Sequence, residues 1–219
     1  MSDEDLRNKI RHGQRTFWEQ SWADENFAPP WKGRGVAPEI VEAIEKGWFP
    51  EKGRVVDIGC GEGEIAAWFN NRGYSVLGLD IAPAVIEAAQ AKHINAQNQE
   101  TLNFLTLDIT ETCPPNLSFD MVVDRGCLHA IHPALVNNYV RNLTAVCSPD
   151  AKMLLFIRAF RGDVEFNDPQ ELSRLNETIV RIFDGVFQVR SCVAANIGQT
   201  AGEPNSKWLP GVVFKLERV

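Results

Sequence analysis

From Arg54 onward the chain alternates short, unbroken apolar runs with stretches whose apolar residues recur every three or four positions. VVDI (55–58), SVLGLD (75–80), TLNFLTLD (101–108), FDMVVD (119–124) and KMLLFIRAF (152–160) are short and rich in β-branched or aromatic residues, which predicts strands. GEIAAWFNNRG (63–73) and the stretches over about 82–96 and 134–147 carry the helical period instead. A strand followed by a helix, repeated, predicts a parallel sheet with helices on both faces. After Pro169 a helical pattern runs to Gly185, and the runs 186–194 and 207–219 predict two more strands. The loop GQTAGEPN (198–205) would join them as an antiparallel pair at one edge of the sheet. The expected fold is therefore α/β and Rossmann-like, one domain over residues 1–219. It has seven strands, mostly parallel with the last one antiparallel, and the helix-biased residues 1–50 form a cover over a core at 51–219.

The first strand and the following helix are separated by DIGCGEGE (57–64), with glycines at 59, 61 and 63. Glycine there permits a tight turn and leaves no Cβ between the backbone and a ligand at the carboxyl edge of the sheet. A dinucleotide site would place its third glycine at 64, where this chain has Glu64, and a pyrophosphate favours a helix start without carboxylates. Acid before the glycines and acid after them suits a cationic or zwitterionic ligand without phosphate, and S-adenosyl-L-methionine fits that description. On this reading Asp57, Gly59, Cys60, Gly61 and Gly63 line the cofactor site. Asp80 and Ile81 end the second strand, where the carboxylate would accept the two ribose hydroxyls. Asp108 would accept the adenine amine, and Ile109 would offer an amide and an apolar flank.

Composition narrows the partners. The chain has 219 residues, 44% of them apolar, and a formal charge of −7, which disfavours a surface that tracks nucleic-acid phosphates. No apolar run is long enough to span a bilayer, and the polar, acidic start MSDEDLRNKIRHGQ lacks a signal-peptide core, so no membrane partner and a cytoplasmic location are expected. The five cysteines (60, 113, 127, 147, 192) lack zinc spacing, and no metal is expected. A monomer or weak dimer is the expected state.

Taken together, VVDIGCGEGE, VLGLDIA, LTLDI and FDMVVDRG resemble class I S-adenosylmethionine-dependent methyltransferases over residues 54–160. FWEQSWADENFAPPWKGRGVAPEI (17–40) is similar to the thiopurine S-methyltransferase and halide/thiol methyltransferase group. The loop DIGCGEG has the general form of the class, and RAFRGDVEFNDPQELS lacks the Gly-Pro-Pro run of many members of that group. The resemblance implies that Trp18, Trp22 and Trp31 lie over the cofactor, where an aromatic face attracts a sulfonium. It also implies that FDMVVDRGCLHAIHP (119–133) faces the methyl group, with S-adenosyl-L-homocysteine as the product. Asp124, which would also contact the cofactor, Arg125 and His129 are the expected catalytic residues. Arg125 would hold an anionic sulfur or halide acceptor, whereas His129 or Asp124 would take the proton from an oxygen or nitrogen acceptor. Cys127, His132, Tyr139, Arg158 and Arg161 complete the candidates near a small-molecule substrate. A cofactor-binding protein without catalysis and a nicotinamide dehydrogenase are the rival readings.

Overall fold

Alternate residues of the first strand enter two different cores. Val55 packs on one face of the sheet with Ile40, Phe69, Ile86 and Phe104, while Val56 and Ile58 pack on the other with Tyr139, Leu143, Leu175 and Ile179. This is the burial expected of a sheet covered on both faces. The computed structural model describes residues 2–24, 26–27, 35–198 and 208–219. Its helices are α1 (Asp3–Ala23), α2 (Pro38–Glu45), α3 (Glu64–Asn70), α4 (Pro83–His93), α5 (Val136–Ala145) and α6 (Pro169–Ile182). Its strands are β1 (Arg54–Ile58), β2 (Ser75–Asp80), β3 (Leu102–Thr106), β4 (Phe119–Arg125), β5 (Cys147–Arg158), β6 (Phe187–Asn196) and β7 (Pro210–Arg218).

All seven strands form one sheet in the order β3-β2-β1-β4-β5-β7-β6. The first five run parallel, and β7 is antiparallel to both of its neighbours. The order reverses between β1 and β4, which sets the crevice of the sheet at their carboxyl ends. Register aligns those ends: Asp57 lies opposite Gly78, Ile58 opposite Asp124, and Asp80 opposite Thr106. Three acids from separate strands are thus drawn to one edge.

Three boundaries depart from the sequence pattern. The helix expected over 82–96 ends at His93, where the Asn98 side chain donates to the His93 carbonyl. The third strand stops at Thr106, so Asp108 sits in the following turn, its Oδ1 accepting from the Thr110 amide and hydroxyl. β5 begins at Cys147, directly after α5, because a register shift between Phe119 and Met121 lets the partner strand pair earlier. Most of the expected 198–205 loop lies outside the described residues. Among the described residues, no helix is long and apolar enough to cross a membrane.

Gly63 caps α3 in the left-handed region at φ +81°, and a Cβ there would stand 2.6 Å from the Phe104 ring. Gly63→Ala should lower stability by roughly 2–3 kcal/mol through backbone strain and overpacking. Urea denaturation reads this directly, and a wild-type midpoint would contradict the geometry.

Candidate functional site

The edge where β1, β2 and β4 end opens into a cavity of about 350 Å³, whose wall includes Asp57, Asp80 and Asp108. Asp57 is 1% exposed, and its Oδ2 is buried without a hydrogen-bond partner. Burial, and after it the charge of Asp124, pushes its pKa up to about 8. Asp80 is better provided for: Oδ2 accepts from the Gly61 amide at 3.1 Å and Oδ1 from the Ala82 amide at 3.1 Å. Burial still raises its pKa, against those bonds. Asp108 keeps its Oδ2 4.0 Å from Arg15.

The loop after β1 is bound to β2 as well as to Asp80. The Gly59 and Cys60 amides donate to the Leu79 carbonyl at 2.7 and 2.9 Å. Gly59 (φ +70°) and Gly61 (φ +54°) both line the cavity in left-handed conformations, and a Cβ on Gly59 would meet the Cys127 Cβ at 2.9 Å. Gly63 does not line the cavity; the room it leaves is filled by Phe104, which corrects the expectation that all three glycines face a ligand. Glu64 does line it, but pairs with Lys92 at 2.6 Å.

α1 lies over this opening. Gln14, Trp18 and Trp22 recur every four residues and all line the cavity. The Trp22 ring stands 3.6 Å from where a Gly61 Cβ would be. Polar contacts dock the helix. The Arg11 guanidinium donates to the Thr110 carbonyl, Gln14 donates to the Ala130 carbonyl at 2.7 Å, and Arg15 pairs with Glu111 at 2.8 Å. Sequence reasoning missed Gln14, although the spacing that relates the two tryptophans extends back to it. It also missed Arg15, Ile197 and Leu209, and no local signal marks those. Trp31 lies outside the described residues.

Beyond the acids, the cavity is walled by Arg125, Cys127, His129, Arg158 and Arg161. Arg125 donates to the Gly35 carbonyl at 2.8 Å and to the Ile197 carbonyl at 3.2 Å, joining two distant segments around the end of β4. His129 stands against the end of β5, with Nδ1 3.4 Å from the Arg158 amide. Burial lowers its pKa, the Phe156 backbone opposes that shift, and Arg161 and Arg158 reinforce it, which favours the neutral ring. Burial lifts the Cys127 thiol far above its usual value, leaving a packed, inert group. His132 caps the short turn at Pro133–Leu135 through Nδ1, which accepts from the Ala134 amide.

Asp124, expected among the catalytic and cofactor-contacting residues, is placed differently by the fold. It is 0% exposed and outside the cavity wall, and it accepts from the amides of Gly126, Cys127 and Leu128 and from the Tyr139 hydroxyl at 2.7 Å. With its lone pairs engaged, the carboxylate shapes the turn after β4 and cannot reach an acceptor proton. Burial, opposed by Tyr139 and these amides, sets its pKa at about 6.

The donor set fits an amino-acid nucleoside. An unpaired buried carboxyl oxygen invites an ammonium donor, and Gly59 and Gly61 bring backbone without a side chain of its own to the cavity wall, beside Cys127 and Trp22. A family model described as thiopurine S-methyltransferase matches residues 13–199. The chain is 27% identical over 154 residues to the 2-heptyl-1-hydroxyquinolin-4(1H)-one methyltransferase of Mycobacteroides abscessus, covering 69% of this chain and 66% of that one. It is 26% identical over 137 residues to thiocyanate methyltransferase 1 of Brassica oleracea, covering 63% and 59%. The chain therefore spans less than two thirds of either relative's length. A solved structure reported for the conversion of a disulfide bond into a thioacetal group during echinomycin biosynthesis has the same fold, with a TM-score of 0.73 at 22% identity over 93% of this chain and 92% of that one.

The state of Asp57 has a measurable sign. Its folded pKa of about 8 lies above the ordinary value of 3.8 that holds in the unfolded chain, so its contribution to stability is full at low pH and is lost as pH rises from 3.8 toward 8. Asp57→Asn, which resembles the protonated form, should flatten that decline by on the order of a few kcal/mol. Urea titrations at the two ends of that window check it; parallel declines in wild type and variant would contradict the burial argument.

Proposed function

We propose that this chain, which belongs to the thiopurine S-methyltransferase family, transfers a methyl group from S-adenosylmethionine to a small anionic acceptor. The observation that carries the reading is the division of one cavity between acids and cations. Asp57, Asp80 and Asp108 line the part at the ends of β1 to β3, while Arg125, His129, Arg158 and Arg161 line the part at the ends of β4 and β5. Asp57 would receive the ammonium of the cofactor's amino-acid tail, Asp80 the ribose hydroxyls and Asp108 the adenine amine. Trp18 and Trp22 would cover them and exclude water. When bound, the cofactor supplies a methyl group already activated by its sulfonium.

The chain's own residues then have little bond chemistry to perform. They align and desolvate the acceptor. A thiolate or another soft anion needs no base, and the arginines favour its charge over that of a neutral acceptor. Arg158 and Arg161 are the favoured anion-holding groups, because Arg125 already donates to two carbonyls. His129 supports a second reading, an oxygen acceptor. The imidazole in the cavity wall could take a proton at Nε2 in the tautomer that carries its hydrogen on Nδ1, and one relative's name describes methylation of a hydroxyquinolinone.

A panel of thiols and inorganic anions against phenols and amines, read by the mass of the methylated product, separates the readings. Thiol or anion turnover supports the first, and phenol turnover that follows deprotonation of His129 supports the second. Binding of S-adenosylhomocysteine with no turnover of any acceptor would overturn both. Asp80→Ala should cost about 2–4 kcal/mol of cofactor affinity by calorimetry, since the ribose donors and the Gly61 amide would lose their acceptor. Arg158→Gln combined with Arg161→Gln should raise the acceptor KM on the order of tenfold with the cofactor KM unchanged. Equal effects on both KM values would move the arginines out of the acceptor region.

A further inference from the structure

The glycine loop is also held from the side facing α4, by a residue so far without a role. His93 is the last residue of α4, and its Nε2 lies 2.9 Å from the carbonyl of Glu62, a residue of the cavity wall. Since a carbonyl only accepts, Nε2 must carry the proton. The peptide between Glu62 and Gly63 is then fixed at both ends: its N–H donates to the Cys60 carbonyl at 3.0 Å, and its C=O receives His93.

That peptide needs fixing. Gly61 and Gly63 on either side of it have φ of +54° and +81°, where glycine moves between backbone wells at little cost. Bonds to Leu79 and Asp80 secure the first half of the loop. His93 is itself well placed to act as a support. The Asn98 side chain donates to its carbonyl at 2.8 Å, and its ring lies 6.2 Å from the Phe104 ring that fills the space under Gly63. Burial lowers its pKa, and protonation would leave the Nε2–H in place, so the contact persists in either charge state.

We infer that His93 is a positioning residue of the methyl-donor site, its Nε2–H bond to the Glu62 carbonyl fixing the 62–63 peptide and with it the shape of the loop beneath the cofactor. This rests on the cofactor reading of the cavity given above. His93→Leu removes the donor but keeps an apolar side chain beside Phe104, whereas His93→Gln places an amide N–H at similar reach. Lys92→Met breaks the neighbouring, exposed ion pair to Glu64 and serves as a control for the helix end.

The experiment is calorimetric binding of S-adenosylhomocysteine to wild type and the three variants, with cofactor KM, acceptor KM and kcat measured for each. His93→Leu is expected to weaken binding and raise the cofactor KM about tenfold, with acceptor KM and kcat at saturating cofactor held near wild type. His93→Gln is expected to stay within about threefold of wild type, and Lys92→Met to bind as wild type does. Equal losses in His93→Leu and His93→Gln, or a loss as large in Lys92→Met, would overturn the role of His93 while leaving the cofactor reading standing. A wild-type protein that binds no S-adenosylhomocysteine would overturn the cofactor reading and this inference together.

Discussion

The site depends on carboxylates that are kept out of water at the strand ends and on the backbone amides that hold them there. Asp80 is the junction. One oxygen receives the Gly61 amide and the other the Ala82 amide, so a single side chain ties the turn after β1 to the turn after β2. Asp124 does the same for the turn after β4, with three amides and the Tyr139 hydroxyl. Between these two satisfied acids stands Asp57, whose Oδ2 has no partner and whose proton is held up to about pH 8. A buried polar group left unpaired is costly, and it persists where a ligand completes it. The left-handed conformations at Gly59, Gly61 and Gly63 carry no such cost, because glycine has no Cβ to clash there.

The cover is built differently from the floor. The floor is apolar packing on both faces of the sheet. α1, in contrast, is attached to the opening chiefly through polar side chains, Arg11, Gln14 and Arg15, reaching to Thr110, Ala130 and Glu111. Polar docking of this kind is weaker and more easily exchanged than core burial, because each bond replaces one to water. The helix also lines the cavity with side chains of its own. Its aromatic face, Trp18 and Trp22, supplies the apolar surface that the acids below it lack.

Sequence alone determined the alternation of strands and helices, the parallel sheet with β7 reversed, and the set of acids at its carboxyl edge. Those features follow from period and from glycine, which act locally: Val55 and Val56 must point to opposite faces, and a chain with glycines at 59, 61 and 63 must turn there. The four-residue spacing of Trp18 and Trp22 likewise placed both on one side of α1 without any tertiary information. What each polar group does with its lone pairs is not local. Asp57 and Asp124 are both acids near the end of a buried strand and look alike in the sequence. Only the fold gives one of them three amides and a tyrosine and leaves the other with an open oxygen. In the same way, Gly63 makes room for Phe104, 41 positions away, Arg125 finds the carbonyls of Gly35 and Ile197, and His93 reaches Glu62. Hydrogen-bond satisfaction depends on which atoms come within about 3 Å, and that is settled when distant segments pack, not by the order of residues along the chain.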